Sequence, residues 1–335
     1  MKKTIFLSAF ASLSILSCND DDSMTTMSDS EFKLVTSSNT SGKISFTDLL
    51  LLNPTTVSLS VIGTDNDGIY YDSSSDEVIL ASRTNNRIER YTNLKNAVEA
   101  KTDNLMLANF NLNADFTNPR EIAVSEDKVI VTQDQAASNG DTNKLLVYQK
   151  TATGFTLLNE YTLDFKVWGI HINGNDLYAI ADLTSDLVVF NNFFSMPSGN
   201  ITASKRVTIE GLTRTHGITY SPEDDVMILT DVASAADATD GGLVIITNFT
   251  NVFGTTSNMG TIAMSNQIRI YGSSTTLGNP VDVAYDYVSN RIYVAERANA
   301  GGTVLTFDFP TASGNVAPIS TRAEAGVAAI YLFRK

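Results

Sequence analysis

The residues of this 335-residue chain that could do chemistry fall into three sets. The first is a single thiol, Cys18, placed after a short apolar run and just ahead of Asp20, Asp21 and Asp22. The second is a series of acids that recur at the starts and ends of short apolar segments: Glu121, Asp182, Asp231, Asp282 and Glu296. The third is aromatic: His171, His216 and Trp168, the last being the only tryptophan. A lone thiol cannot form an internal disulfide, so its use is as a nucleophile for modification. Carboxylates drawn together can hold a hard cation such as Ca²⁺, which takes six to eight oxygens, or exchange a proton as acid and base. The two histidines lack zinc-ligand spacing, and no HExxH, GxSxG or phosphate-binding glycine loop occurs.

Cys18 is explained by what precedes it. Lys2 and Lys3 form a positive start, and Thr4–Ser17 form an apolar stretch of fourteen residues. That is too short to span about 30 Å of hydrocarbon, so it reads as an export signal. Ile15-Leu16-Ser17-Cys18 resembles the lipobox of bacterial lipoproteins, and Asn19-Asp20-Asp21-Asp22 resembles the acidic export signal of Bacteroidota surface lipoproteins. The resemblance implies cleavage before Cys18, acylation of its thiol and new amino terminus, and a surface-exposed outer-membrane protein held to the membrane through Cys18. Several acyl chains at roughly 0.8 kcal/mol per buried CH₂ make a durable anchor. The expected organisation is a signal over 1–17, an acidic flexible tether over 18–30 and a folded domain over 31–335.

Composition narrows the partners. The chain carries 23 basic against 37 acidic residues, a net charge of −14. Nucleic acid, which demands a basic footprint, is excluded as a partner. A protein or glycan partner, a cationic ligand or a divalent metal suits this balance, and a monomer is expected.

The elements that position the acids are strands. Five stretches share one pattern of apolar strand, polar turn, apolar strand, turn, apolar strand, beginning at Gly68, Glu121, Gly169, Gly217 and Asp282. Their first apolar residues, Ile69, Ile122, Ile170, Ile218 and Val283, are 53, 48, 48 and 65 residues apart. A fourth strand fits before each next unit, at 105–112, 155–163 and 205–211 for instance. Four short antiparallel strands in about 40–50 residues make one blade of a β-propeller. The ends complete a sixth blade: GVAAIYLF from Gly326 supplies a first strand, and segments 31–35, 37–49 and 55–63 supply the other three. The expected fold is therefore an all-β, six-bladed β-propeller of four-stranded blades, closed by its C-terminal strand. A five-bladed ring with frayed ends, or a β-sandwich with a second domain, are the competing architectures. No segment beyond the signal has a sustained helical period.

The stretch NPVDVAYDYVSNRIYVAERANAGGTVLTFDF resembles NHL and YVTN propeller repeats, a likeness that implies architecture and leaves function open. A ring of blades gathers the first-strand starts at one channel mouth. These are Gly68, Glu121, Gly169, Gly217, Asp282 and Gly326, preceded by Asp67, Arg120, Trp168, His216, Val281 and Ala325. The second-strand ends Arg83, Gln133, Asp182, Asp231 and Glu296 are expected there too. Glu121 and Asp282, three units apart, should face each other and are the candidate metal ligands, with calcium the cofactor. Asp182 and Asp231 have a competing structural use, capping the turn after the second strand. Trp168 is either a blade-packing residue or a platform for a sugar, and His171 is expected in the core. The leading functional reading is a binding or scaffold module. The other is a metal-dependent hydrolase resembling gluconolactonases, whose Glu-Gly-Pro strand start is replaced here by Asn-Pro-Arg before Glu121.

Overall fold

The computed structural model describes Ser30–Lys335; the signal, Cys18 and tether residues up to 29 lie outside the described residues. Glu31–Lys335 form one compact unit. It is a six-bladed β-propeller, built of six small, mostly four-stranded and mostly antiparallel sheets taken up in chain order around a ring. The first blade is closed by the C-terminal strand: Val327–Arg334 pairs antiparallel with Phe32–Ser38, matching Val35 with Tyr331. Lys43–Asp48 and Thr56–Ser60 complete that blade. The innermost strands of the second to sixth blades are Asn66–Asp72, Pro119–Ser125, Val167–Asn173, Ile218–Ser221 and Pro280–Asp286. The expected fourth strands appear as Met106–Phe110, Gly154–Leu163 and Lys205–Ile209.

Each blade is apolar on both faces of its inner strands, because another blade packs on either side. Val226–Asp231, the second strand of the fifth blade, is buried at every residue. The core is accordingly divided into six clusters, one between each neighbouring pair. Ile130, Leu145 and Val147 meet Ile170, Leu177 and Val188 between the third and fourth blades. The ring closes where Val281, Tyr293 and Val304 of the sixth blade meet Phe32, Leu34 and Ile330 of the first. At about 1.5–3 kcal/mol per buried large apolar side chain, these interfaces are the main source of stability. Arg334 locks the closing strand to the sixth blade through two bonds to Asp286, at 2.5 and 2.6 Å.

Outer edges are managed locally. Four blades have their outermost strand met by a parallel bridge from the following blade: Ser60 with Asn104, Tyr161 with Gly199, Thr208 with Thr261, and Ile270 with Gly314. The bridge occupies hydrogen-bonding groups that an open edge would offer to other chains. Two of the bridging residues, Asn104 and Thr261, follow two short helices, Leu94–Ala100 and Phe249–Thr255, where the sequence shows no helical period. Two helical turns are too few for a period to show; Phe249 and Phe253, one turn apart, are the buried pair in the second helix.

Candidate functional site

A repeated irregularity builds the channel mouth. In the second blade Asn66 pairs with Ser82 and Ile69 with Leu80, so Asp67 and Gly68 bulge from the ladder. The same shift occurs after Pro119, Val167 and Pro280, and in the closing strand between Val327 and Ala329. A bulge re-aims side chains, and here it falls at the start of the inner strand in five of the six blades. Adjacent blades come so close that a Cβ on Gly169 would lie 2.1 Å from the His216 carbonyl oxygen, and one on Gly68 2.5 Å from the Ile122 amide.

Below the mouth, the inner strands surround a channel cavity of about 250 Å³. Ile69, Ile122, Ile170, Ile218, Val283 and Ile330 make an apolar ring within it, and Glu121 and Asp282 line the same space. They sit on opposite blades, as expected from their spacing. Glu121 Oε1 accepts its neighbour's amide, from Ile122 at 2.8 Å. Asp282 accepts Val283 N at 2.8 Å and, across the closure, Ile330 N at 2.7 Å. Burial pushes Asp282 up to about 7, with the Asp67 charge adding to it and the two amides opposing. Glu121 is raised well above the carboxylate range by burial, then by the Asp282 and Asp67 charges. His171 lines this channel rather than the core; burial lowers its imidazole to about 4.

At the mouth itself, three consecutive blades form a stack. The Trp168 and His216 rings lie parallel with centroids 3.8 Å apart, and the Arg120 guanidinium sits 4.1 Å from the Trp168 centroid. Both groups cannot share one face at those distances, so Trp168 is covered on both sides. It packs between blades and offers no open face to a sugar. Arg120 continues the chain of contacts to Asp67 at 3.2 Å.

Around the stack runs an ion-pair network. Arg120 meets Asp134 at 3.0 Å, Lys166 meets Asp182 at 3.0 Å and Asp134 at 3.6 Å, and Arg214 meets Asp182 at 2.8 Å. Arg83 reaches Asp65 at 3.0 Å and Asp67 at 3.7 Å. Burial alone would raise Asp182, but His216 and Arg214 hold its carboxyl well below the usual range. His216 Nε2 is 3.3 Å from Asp182 Oδ1, too poorly aligned for a hydrogen bond; burial outweighs this neighbour and lowers the imidazole to about 4, leaving it neutral at pH 7. Burial also raises Asp67 despite Arg120, Arg83 and Arg297 nearby.

The expected set is thus only partly gathered. Glu121 and Asp282 share the channel, while Trp168, Asp182 and His216 share the mouth. Asp231 and Glu296 belong to neither. Asp231 accepts the amides of Thr213, Arg214 and Ala233 and the Tyr271 hydroxyl. Glu296, fully buried, accepts those of Gly278, Asn279, Ala298 and Asn299. Gln133 holds Thr117 N in the same way. These residues are one position early. Arg83, Asp134, Asp182, Val232 and Arg297 are the equivalent set, each donating its amide to the carbonyl two residues before the mouth residue of its blade. One step along a strand reverses the face, which is why Asp134 and Arg297 went unnoticed. The closing strand is displaced likewise: Asn39 N donates to the Gly326 carbonyl, so Ala328 and Ala329, not Ala325 and Gly326, complete the rings. Among the described residues, no group of three or more His, Cys, Asp or Glu side chains is placed to hold a metal ion.

Comparison with known proteins bears on the fold. No family model matches the sequence, and no curated protein matches it. Solved structures do match. A chain of a nidogen/laminin complex superimposes with TM-score 0.59 at 12% identity, covering 90% of this chain and 98% of its own. A candidate 6-phosphogluconolactonase from Bacteroides fragilis gives TM-score 0.59 at 11% identity, covering 92% and 99%. One from Bacteroides uniformis gives 0.56 at 14%, covering 88% and 83%. At these identities the likeness concerns the fold alone.

Proposed function

We propose that this chain is a lipid-anchored cell-envelope propeller that binds a ligand or partner at the channel mouth. One observation carries the binding role: the mouth acids are already engaged. Asp134 and Asp182 are held by Arg120, Lys166 and Arg214, and Asp231 and Glu296, outside the mouth, are spent on backbone amides. Acids so paired make poor general bases but a rigid frame for recognition. Beside them, Arg83, Asn118, Arg120, Asp134 and Lys166 line a polar cleft of about 500 Å³. The anchor rests on the Ile15–Cys18 motif. Cys18→Ser should leave the membrane fraction or persist uncleaved; unchanged lipid labelling would sink that part. The binding part is tested by screening glycans, peptides and small ions for saturable shifts in melting temperature.

A second reading, lactone hydrolysis, is favoured by the opposed Glu121 and Asp282. Burial raises both carboxyls, and each one's charge opposes ionisation of its neighbours, the kind of environment that sets up an acid–base pair. The two Bacteroides structures described as candidate lactonases share the fold. Turnover of a lactone that is abolished by Glu121→Gln would establish it in place of the binding role.

A further inference from the structure

The mouth carries a charge opposite to that of the molecule. In a chain of net charge −14, five cations, Arg83, Arg120, Lys166, Arg214 and Arg297, are set against four carboxylates, Asp65, Asp67, Asp134 and Asp182. Two of the guanidinium groups converge on one buried acid, and a third acts on it through its charge. Arg83 and Arg120 both reach Asp67 Oδ2, and the Arg297 charge acts on the same carboxyl.

Arg297 is the member without an anionic partner. No carboxylate lies within ion-pair distance of it among the described residues, whereas Arg83, Arg120, Lys166 and Arg214 each have one. Its neighbour is neutral: with the Asn39 amide turned so that its oxygen faces the guanidinium, that oxygen accepts at 2.5 and 3.2 Å. Burial lowers the Arg297 pKa, and the Arg120 and Arg83 charges lower it further against the pull of Asp67. A partly dehydrated cation in a positive field gains most from a small anion brought beside it. Donors remain for one: Arg120 uses Nε toward Asp134 and Nη1 toward Asp67, while its Nη2 bonds nothing among the described residues.

Resting on the binding role proposed above, we infer that the mouth binds a small oxoanion, a carboxylate or phosphate group, between Arg120 and Arg297 over Asp67. Such an oxygen fan can take the free Arg120 Nη2 on one side and the Arg297 guanidinium on the other. A polyanion is disfavoured, because beyond the mouth it meets the acidic exterior.

Trp168, the only tryptophan, lies against Arg120, so its emission reports occupancy without a label. The purified soluble domain is titrated at pH 7 with inorganic phosphate, with gluconate, with a neutral oligosaccharide, and with sodium chloride at matched ionic strength. The expected result is a saturable change with phosphate or gluconate that chloride does not reproduce. Whichever of the two saturates at lower concentration identifies a phosphate or a carboxylate ligand. Arg297→Gln should raise the midpoint at least tenfold and Arg297→Lys by less, since lysine keeps the charge but loses the fork. Responses indistinguishable from chloride, or an unaltered midpoint in both variants, overturn the inference. Should Arg297→Gln not fold, the lysine variant and the wild-type anion series decide alone. Saturation by the neutral oligosaccharide with both anions silent overturns the anion site and leaves the binding role standing. Silence of all three ligands together with lactone turnover overturns the binding role itself.

Discussion

Replacing Glu121 by Gln should stabilise the protein above neutral pH and do little in acid. The substitution is geometrically mild: the amide oxygen can keep the bond from Ile122 N, and its NH₂ replaces Oε2, which faces the channel without a donor. Asp282 is a poorer choice, because Asp282→Asn would turn a donor toward either Ile330 N or Val283 N. The magnitude follows from the raised carboxyls. Asp282 at about 7 stands some three units above its value of 3.8 in the absence of burial. A group shifted by about three units costs about 4 kcal/mol once ionised in the fold. The sign follows from proton uptake. Between about pH 4 and 7 the unfolded chain has released these protons and the folded chain retains them, so stability falls as pH rises through that window. Removing Glu121 removes its own share of this cost and its repulsion of Asp282. The expected gain is on the order of 2–4 kcal/mol at pH 9, or about 4–8 °C in melting temperature. It should shrink to nearly nothing at pH 4.

The assay is a set of melting curves for wild type and variant from pH 4 to 9, each with Ca²⁺ and with chelator. A gap between the two proteins that does not widen with pH would refute the reasoning. So would a calcium-dependent rise in the wild type that Glu121→Gln abolishes, because the pair would then be holding a cation rather than repelling itself.

Three further outcomes are expected. Ending the chain after Ala325 removes the closing strand with its Val327 and Ile330 contacts and the Arg334–Asp286 bonds; this loss should exceed a typical 5–15 kcal/mol margin, and a soluble product melting like wild type would contradict ring closure. Gly169→Ala must push the His216 carbonyl aside, costing about 1–3 kcal/mol and shifting Trp168 emission, and unchanged stability and fluorescence would show the blades to be less tightly abutted. Asp182→Asn withdraws the charge that Lys166 and Arg214 share, costing about 2–3 kcal/mol at pH 7 after allowance for the partial exposure of both cations. Because the Asp182 pKa is depressed in the fold, that difference is present above about pH 4 and should fade as pH drops through the carboxylate range; a difference that persists in acid would point to packing instead of charge.

The architecture was legible because it is written five times. Apolar starts at Ile69, Ile122, Ile170, Ile218 and Val283 repeat at blade intervals, and the two chain ends each lacked what the other had. All six of these positions, with Ile330 as the last, meet in one ring. The opposed pair Glu121 and Asp282 was legible for the same reason: three blades apart in sequence means opposite in a ring of six. What was not legible was the register at the mouth. The bulge after Asn66, Pro119, Val167 and Pro280 adds a residue that no periodicity announces. An acid at the end of a second strand therefore looks the same whether it faces the axis, as Asp182 does, or turns back to hold amides, as Asp231 and Glu296 do. Arg297 escaped notice for lying one residue beyond Glu296.

The ring is uneven, and the unevenness has a direction. Going round the mouth, the positions read Asp67, Arg120, Trp168, His216, Val281 and Ala328. The first four touch in succession, by ion pair, cation–π contact and ring stack. Val281 and Ala328 are small and apolar and continue nothing. A structural ring would gain from filling the axis evenly, since each gap forfeits dispersion contacts. Here one half is rigid, charged and closely packed, while the other half is short-chained. Arg297 comes from the blade that carries Val281 and meets Asn39 of the first blade, so it belongs to the half whose mouth positions are small. Val281 and Ala328 are themselves buried, so the asymmetry bears on the seat of the proposed anion, beside Arg297, and not on a route to it. It also sets a test: the longer side chain of Ala328→Leu should crowd that seat and weaken binding of phosphate or gluconate while leaving the Trp168–His216 stack, on the far side, undisturbed. Unimpaired binding in a folded Ala328→Leu protein would mean that the ligand sits elsewhere.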